Sequence, residues 1–284
     1  MKEYKQKIEA TDGYELGAIL LEPEEAPKGV IQFNSGTGIL KEFYLNFCKF
    51  LCSQGFIVVL YDYRGIGESK PASLRGFKAH MREWGQKDMV GVCNWLSNRY
   101  PELPLYIVCH SVGGQLIGLM ENHSKVQKIV MITSSSGYWP ILTAPYKYFT
   151  VLIWYLFVPL TTTLFGYATA KAIKQGEDLP KGVAKEWRQW CLHPEYLKGY
   201  WGKTIESWYY EQVTTPIKAL YVEDDPIAND KSVGQLLSFY NQSNIEKERI
   251  DLASYQLKSL GHFGFFSRKQ KDKLWHLPVD YLLG

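Results

Sequence analysis

Short, almost continuously apolar runs recur along this chain, and between them apolar residues return every three or four positions. The continuous runs cover residues 30–33, 56–61, 103–109, 128–133 and 217–222. Their β-branched and aromatic content is typical of strands that are buried on both faces of a sheet. The three-four spacing predicts helices over residues 40–51, 82–99, 113–120 and 267–283. This alternation predicts an α/β fold, in which a mostly parallel sheet carries helices on both faces.

The N-terminus follows a different pattern. Residues 5–10 and 14–21 are strand-like, and the TDG sequence between them is typical of a hairpin turn. We therefore expect an antiparallel hairpin at one edge of the sheet. Residues 250–260 carry a weaker pattern that we interpret as a further strand.

Aromatic residues are concentrated in one part of the sequence. Residues 137–210 hold 18 of the 42 Phe, Tyr and Trp residues, and residues 148–170 contain no formal charge. This region lies between two predicted strands, so it interrupts the sheet order and does not add a domain at one end. We therefore predict one core built from residues 1–136 and 211–284, with residues 137–210 inserted as a helical cap.

Composition limits the classes of protein to which the chain can belong. It has 284 residues, of which 46% are hydrophobic, a fraction too high for a disordered chain. The 32 Lys and Arg residues exceed the 29 Asp and Glu residues by only three. A net charge of +3 falls short of the basic surface that a nucleic-acid-binding protein needs, so no nucleic-acid partner is predicted.

Cysteine usage and the first residues of the chain favour the reducing cytoplasm. Five cysteines in a chain of this length do not make a disulfide framework, and Cys191 and His193 form an isolated pair. The first 15 residues contain no apolar segment followed by a small-residue cleavage site, so a secretory signal is not expected. No metal and no cofactor are predicted.

The most informative part of the sequence is an apolar strand that runs into residues 109–114, CHSVGG. A strand, a sharp turn at Ser111 and a helix would place the serine hydroxyl above the carboxyl edge of the sheet. Small neighbours are needed because the strand and helix backbones approach closely there, and Gly113 and Gly114 meet that need. Cys109 stands where the G-x-S-x-G pattern has its first glycine. In this context Ser111 is the candidate nucleophile.

Candidate partners for the serine come later in the chain. The strand at 217–222 leads into Asp224 and Asp225, and His262 follows between two glycines. A serine becomes a good nucleophile when a histidine takes its proton, and an ionised acid orients that histidine. We prefer Asp225 as this acid and keep Asp224 as the alternative. The other five histidines lack a setting like that of His262.

An acyl-transfer enzyme also needs N–H donors for the oxyanion that forms during the reaction. Val112, directly after the candidate nucleophile, supplies one backbone N–H. The second is expected from the loop at residues 34–38, NSGTG, where Thr37 is our choice. This loop has the required glycines but lacks the His-Gly dipeptide of many hydrolases.

Residues 62–69, DYRGIGES, resemble the D-x-R-G-x-G-x-S turn of α/β-hydrolases of the lipase, esterase and peptidase type. With the Ser111 turn, the Asp225 loop and His262, the resemblance extends over nearly the whole chain. The order Ser, Asp, His is also that of an α/β-hydrolase triad. The resemblance implies a structural role for residues 62–69. Residues 137–140 and 177–191 are similar to a bacterial subgroup of α/β hydrolases, which implies a serine hydrolase but no particular substrate.

The uncharged residues 148–170 are numerous enough to span a bilayer. One crossing would leave Ser111 on one side and both Asp225 and His262 on the other, so no transmembrane span is expected. The remaining interpretations are a cap packed on the core, or a cap that also presents an apolar pocket or a membrane-facing surface. The candidate pocket-lining residues are Trp139, Trp154, Trp187 and Trp190.

Together these patterns predict a serine hydrolase that cleaves a carboxylic ester or thioester through an acyl-serine intermediate. An apolar cap favours a small-molecule substrate with an apolar acyl or aromatic portion. Two alternatives stay open, a hydrolase-fold protein that binds without catalysis and a triad enzyme that acts on amide or carbon–carbon bonds. The oligomeric state is not predicted.

Overall fold

The sheet explains how distant parts of the chain meet. The computed structural model describes all of residues 1–284. Its strands are β1 (Lys2–Glu9), β2 (Glu15–Glu22), β3 (Gly29–Asn34), β4 (Phe56–Tyr61), β5 (Leu105–His110), β6 (Val126–Ile132), β7 (Tyr167–Ala168), β8 (Leu179–Pro180), β9 (Ile217–Val222) and β10 (Ile245–Ile250). All except the short pair β7 and β8 form one sheet in the order β1-β2-β4-β3-β5-β6-β9-β10.

Strand directions follow the sequence pattern. β1 and β2 form an antiparallel hairpin, and β2 pairs antiparallel with β4. The pairs β3–β4, β3–β5, β5–β6, β6–β9 and β9–β10 are all parallel. The predicted mostly parallel sheet with an N-terminal hairpin at its edge is therefore confirmed.

Helices cover the sheet. They are α1 (Lys41–Ser53), α2 (Met81–Glu83), α3 (Val90–Arg99), α4 (Val112–Gln115), α5 (Tyr146–Leu152), α6 (Val158–Leu164), α7 (Lys181–Leu192), α8 (Asp230–Leu237), α9 (Lys271–Leu274) and α10 (His276–Leu283). Two π-helical turns, Trp84–Met89 and Ile153–Phe157, join α2 to α3 and α5 to α6 into longer helices.

The hydrophobic core lies on both faces of the sheet. One cluster contains 53 buried residues and the other contains 26. In β5, Ile107 belongs to the first cluster and its neighbour Val108 to the second. Successive side chains of a strand point to opposite faces, so a strand buried on both faces must be apolar at every position. This is why the central strands have continuous apolar sequences.

The expected strand at residues 250–260 is wrong. The edge strand is β10, which ends at Ile250, and residues 251–263 are turns and loops. β10 has the sequence IEKERI and carries partly exposed charges, as edge strands commonly do. With charged residues at four of its six positions, β10 has no apolar run in its sequence. The long loop after β10 carries His262.

The expected helix at residues 113–120 is also shorter than predicted. α4 has four residues and is followed by a separate 3₁₀ turn, Ile117–Leu119. Glycines at 113, 114 and 118 disfavour a longer helix. A Cβ on Gly118 would overlap the ring of Tyr210, so this position is closed to larger residues. The predicted closing helix at 267–283 is likewise divided, into Arg268–Gln270, α9 and α10.

Residues 137–210, which we call the insertion, lie between β6 and β9 and contain α5, α6 and α7. One continuous helix in it, Tyr146–Leu164, is long and apolar enough to cross a membrane by length and composition alone. β6 and β9, which precede and follow the insertion, are hydrogen-bonded neighbours in one sheet. A single crossing would place these two strands on opposite sides of the membrane, which their pairing does not allow.

Candidate active site

Ser111 directly follows β5 and has φ 50° and ψ −116°. This backbone conformation is strained for a non-glycine residue, and strain of this kind is concentrated at functional sites. A Cβ on Gly113 would overlap the carbonyl of Asn34, and a Cβ on Gly114 would overlap the Ser134 side chain. Both positions therefore require glycine, as the motif predicts.

Cys109 shows why the first glycine of the motif can be replaced. Its side chain is fully buried within β5, and its Sγ donates to the Val130 carbonyl at 3.4 Å. A Cβ on Gly114 would lie 3.2 Å from this sulfur, so the thiol occupies the space that the glycine leaves. The substitution therefore leaves the turn at Ser111 intact.

A series of hydrogen bonds connects Ser111, His262 and Asp225. His262 Nε2 lies 3.0 Å from Ser111 Oγ, and His262 Nδ1 lies 2.7 Å from Asp225 Oδ2. The other oxygen of Asp225 accepts the backbone N–H groups of Ile227 and Ala228 at 2.8 and 3.0 Å. Because Asp225 is buried and its two oxygens are both bonded, its carboxylate holds the imidazole in one orientation.

Asp224, the alternative acid, faces the loop before the histidine. It accepts hydrogen bonds from the Ser259 hydroxyl at 2.6 Å and from the N–H groups of Leu260 and Gly261 at 3.0 and 2.8 Å. Burial opposes ionisation, but these hydrogen bonds outweigh it and hold the pKa of Asp224 below its ordinary value. The structure brings Asp225 to His262, while Asp224 fixes the loop that presents it.

The two candidate oxyanion donors lie near Ser111. α4 begins at Val112, and the first N–H groups of a helix have no acceptor within that helix. Thr37, in the loop after β3, lines the same cavity as Ser111. The neighbouring Gly36 N–H is already bonded to the Tyr44 hydroxyl at 2.9 Å, which leaves Thr37 as the better candidate in this loop.

Sequence reasoning missed His110, which is fully buried beside the site. Its Nδ1 lies 2.7 Å from the Tyr44 hydroxyl and its Nε2 lies 3.1 Å from the His262 carbonyl. Since the Tyr44 oxygen accepts from Gly36, its proton is free to donate to Nδ1, and Nε2–H then donates to His262. Burial, together with the nearby His262, lowers the pKa of His110 well below its ordinary value and keeps it neutral.

His110 thus joins two parts of the site. The series Gly36, Tyr44, His110 connects the loop of Thr37 to the backbone of His262. Its position next to Ser111 was the only sequence feature that could have indicated this role.

A cavity of about 340 Å³ adjoins Ser111 and His262. It is lined by 27 residues, of which 17 are hydrophobic, and most of them belong to the insertion. No Asp or Glu side chain lines it. The cavity therefore suits an apolar, uncharged group next to the serine hydroxyl.

The four candidate tryptophans have different positions. Trp154 and Trp187 line the cavity and pack edge-to-face with ring centroids 4.9 Å apart. Trp190, three positions further along α7 and therefore about 60° around the helix from Trp187, is fully buried in the core against Tyr196. Trp139 is partly exposed in a 3₁₀ turn and is not part of the cavity lining. The expectation that Trp139 and Trp190 line the pocket is corrected accordingly, because helical rotation and the turn direct them elsewhere.

Residues 62–69 have a structural role. Asp62 Oδ2 lies 2.7 Å from Lys41 Nζ, with both side chains fully buried. Arg64 donates to Asp88 at 2.7 Å and to Asp12 at 2.8 Å, which ties residues 62–69 to the π-helical turn before α3 and to the N-terminal hairpin. No group of three or more His, Cys, Asp or Glu side chains is placed to hold a metal ion.

Several solved structures share the fold. A monoglyceride lipase from Saccharomyces cerevisiae, in complex with a substrate analogue, is 13% identical and has a TM-score of 0.71 over 99% of this chain and 95% of that chain. A thermostable carboxyl esterase from Bacillus coagulans is 14% identical, with a TM-score of 0.63 over 100% of this chain and 99% of that chain. An esterase from Pyrococcus furiosus is 16% identical, with a TM-score of 0.63 over 99% and 90% of the two chains.

At these identities the likeness establishes the fold. No curated protein matches the chain significantly. The family described as "Serine aminopeptidase, S33" matches residues 25–180, which is more than half of the chain and includes Ser111. The chain therefore belongs to this family, within the α/β-hydrolase superfamily.

Proposed function

We propose that this protein is a serine hydrolase that cleaves a carboxylic ester or thioester whose acyl or aromatic group is apolar. The observation that carries the proposal is the hydrogen-bonded series Asp225–His262–Ser111 beside a mainly apolar cavity. The fold neighbours described as a carboxyl esterase and a monoglyceride lipase are consistent with ester cleavage.

In the proposed reaction, His262 Nε2 takes the proton of Ser111 as Oγ attacks the carbonyl carbon of the substrate. Asp225 stabilises the imidazolium that forms, and the N–H groups of Val112 and Thr37 bind the oxyanion. His262 then gives the proton to the leaving alcohol or thiol, and the acyl group stays on Ser111. Water, deprotonated by His262, attacks the acyl carbon. His262 then gives this proton to Ser111 Oγ as the bond between Oγ and the acyl carbon breaks, and the acid and free Ser111 are released.

We also propose that the insertion is a cap that defines the substrate. Most of the cavity lining comes from it, including Trp154 and Trp187. A cap of this kind would select substrates by the size and shape of their apolar portion.

The family description gives the amide-cleaving alternative some support, because an aminopeptidase acts on amide bonds. An aminopeptidase substrate carries a free ammonium group near the scissile bond. The cavity lining contains Lys174 and no Asp or Glu to pair with such a cation. Ester cleavage is therefore the function that the site supports best.

The test combines a fluorophosphonate probe with two substrate series. We expect the wild type to be labelled and Ser111→Ala to remain unlabelled. p-Nitrophenyl esters should be cleaved with a preference for longer acyl chains, while aminoacyl p-nitroanilides should not be cleaved. An unlabelled wild type, or equal labelling of Ser111→Ala, would favour a non-catalytic binding protein. Preferential cleavage of the anilides would establish the aminopeptidase alternative.

A further inference from the structure

The helix Tyr146–Leu164 leaves one of its apolar faces uncovered. Eight of the 14 exposed large hydrophobic residues of the chain lie on it or directly after it. They are Tyr148, Phe149, Leu152, Tyr155, Leu156, Leu160, Leu164 and Phe165, which we call the outer stripe. Five of them recur at intervals of four residues, so they lie along one side of the helix.

This exposure is not that of a core helix. Only 28% of the residues in its most apolar 18-residue stretch are buried. Leu152 and Leu156 are 60% and 61% exposed. Single exposed apolar residues are ordinary, but a contiguous patch of this kind marks a surface that binds something.

The opposite face of the same helix lines the cavity. Tyr146, Ile153 and Phe157 contribute to the lining, together with Trp154. The helix therefore separates the cavity of Ser111 from the surface covered by the outer stripe.

The charges near the outer stripe are positive. Residues 137–176 contain Lys147, Lys171 and Lys174 and no Asp or Glu. Lys171 pairs with Glu177 at 2.7 Å, while Lys174 is exposed and belongs to the cavity lining. Arg75, which is exposed, packs against Gly166 at the C-terminal end of the helix. Cations at both ends of an apolar helix complement an anionic lipid surface.

The threonine hydroxyls of the helix are satisfied internally, whereas the buried Trp154 Nε1 has no hydrogen-bond partner. The hydroxyl groups of Thr150, Thr161, Thr162 and Thr163 each donate to a backbone carbonyl three or four residues earlier. On the outer stripe itself the only side-chain hydrogen-bonding groups are the hydroxyls of Tyr148 and Tyr155, and tyrosine is enriched at membrane interfaces. A protein partner would find few groups for directional contacts here, whereas lipid acyl chains need none.

We propose that the outer stripe docks on an anionic lipid bilayer, with the helix Tyr146–Leu164 lying in the interface parallel to the membrane plane. Docking brings the mouth of the cavity near Lys174 to the lipid surface. If the proposed ester hydrolysis holds, on which this last step rests, the substrate is an ester that partitions into the bilayer.

The test measures co-flotation with vesicles of phosphatidylcholine containing phosphatidylglycerol. The triple variant Leu152→Ser, Leu156→Ser, Leu160→Ser removes the centre of the outer stripe without touching the cavity lining. The double variant Tyr4→Ser, Leu283→Ser is the control, since both residues are exposed apolar side chains that lie outside the insertion. We expect the wild type and the control to float, and the triple variant to lose at least about tenfold in vesicle affinity. All three should cleave p-nitrophenyl butyrate at the same rate.

The docking proposal would be overturned if the wild type failed to float with the vesicles. It would also be overturned if the triple variant floated as well as the wild type. Sedimentation velocity tests whether a second copy of the chain covers the outer stripe instead of a bilayer. A wild-type dimer that the triple variant dissociates, without vesicle binding, would show that the stripe is an interface between two copies. Ser111→Ala should float like the wild type, because docking requires no catalysis. Flotation without any ester hydrolysis would therefore refute the proposed function and leave docking intact.

Discussion

The carboxyl edge of the sheet and the insertion meet at one cavity, yet they are built by different forces. At the edge, hydrogen bonds fix the groups that position His262 beside Ser111, as the paired oxygens of Asp225 and the buried His110 show. In the insertion, apolar side chains face both the cavity and the surface. Directional bonds determine where the reacting atoms lie, whereas packing without direction determines the shape of the space beside them. Reactivity and selectivity should therefore respond to different substitutions.

The largest expected effect concerns the two adjacent acids of the edge. Asp225→Asn should lower kcat/KM for a p-nitrophenyl ester by about 10⁴-fold, because an amide can donate to Nδ1 and favour the wrong tautomer of His262. Asp224→Asn keeps one acceptor oxygen for the loop and should lower kcat/KM less than about tenfold. Its main effect should be a loss of roughly 1–3 kcal/mol in the free energy of unfolding. Steady-state kinetics and urea unfolding measure the two quantities.

Equal losses of activity in these two variants would contradict the different roles assigned to Asp224 and Asp225. They would mean that the two carboxylates act on His262 as one unit. Retained activity in Asp225→Asn would remove Asp225 from the proposed reaction.

The next effect distinguishes two tryptophans of α7. Trp190 is fully buried, so Trp190→Ala should lower the free energy of unfolding by roughly 3–5 kcal/mol through the cavity that it leaves. Trp187 lines the substrate cavity, and Trp187→Ala should cost less stability because the lost volume opens into existing space. It should shift the preferred acyl chain toward longer substrates. Thermal unfolding and the p-nitrophenyl ester series measure these effects.

A reversal would contradict the assigned positions. If Trp190→Ala changed chain-length preference at unchanged stability, Trp190 and not Trp187 would line the cavity. Matching stability losses in both variants would show that the insertion packs as a single core around Trp187 as well.

The same contrast explains what could be predicted from the sequence. The central strands were predictable because burial on both faces requires continuous apolar runs, and Ser111 because its turn requires Gly113 and Gly114. β10 was not predictable in this way, because an edge strand can carry charged side chains that stay in water and so lacks a continuous apolar run. α8 was also missed, although Asn229 caps it by accepting from the N–H groups of Lys231 and Ser232.

In the insertion, the aromatic content and the lack of charge identified its apolar character but could not tell which side of a helix faces the cavity. Trp187 and Trp190 are three positions apart and have similar sequence surroundings, yet only Trp187 lines it. The role of His110 depends on Tyr44 and on the His262 carbonyl, which come from distant parts of the chain. Such contacts depend on tertiary structure that one sequence does not display.

The smallest expected effect is on the pH dependence of the free energy of unfolding, and it tests whether His110 is one of the fixed neutral groups at the edge. Burial holds the pKa of His110 well below its ordinary value, so the folded protein keeps this group neutral at pH values where the unfolded chain binds a proton. The unfolded state then holds one more proton below about pH 6.5, and the free energy of unfolding falls as pH falls, by about 1.4 kcal/mol per pH unit. The contribution of neutral His110 to the free energy of unfolding is complete above about pH 6.5, and it declines as the pH falls toward the pKa of His110 in the folded protein.

His110→Gln removes the titrating group and keeps an N–H donor for the His262 carbonyl. Its free energy of unfolding, measured in urea between about pH 7 and pH 5, should fall less steeply with falling pH than that of the wild type. The two slopes should differ by up to about 1.4 kcal/mol per pH unit, the value for one proton. Tyr44→Phe is the control, because it deletes the hydroxyl beside His110 but leaves the imidazole buried. It should lower stability by roughly 1–3 kcal/mol at every pH and retain the wild-type slope. A His110→Gln slope equal to that of the wild type would show that His110 is protonated in the folded protein, and the series from Gly36 to His262 would then need a different donor arrangement.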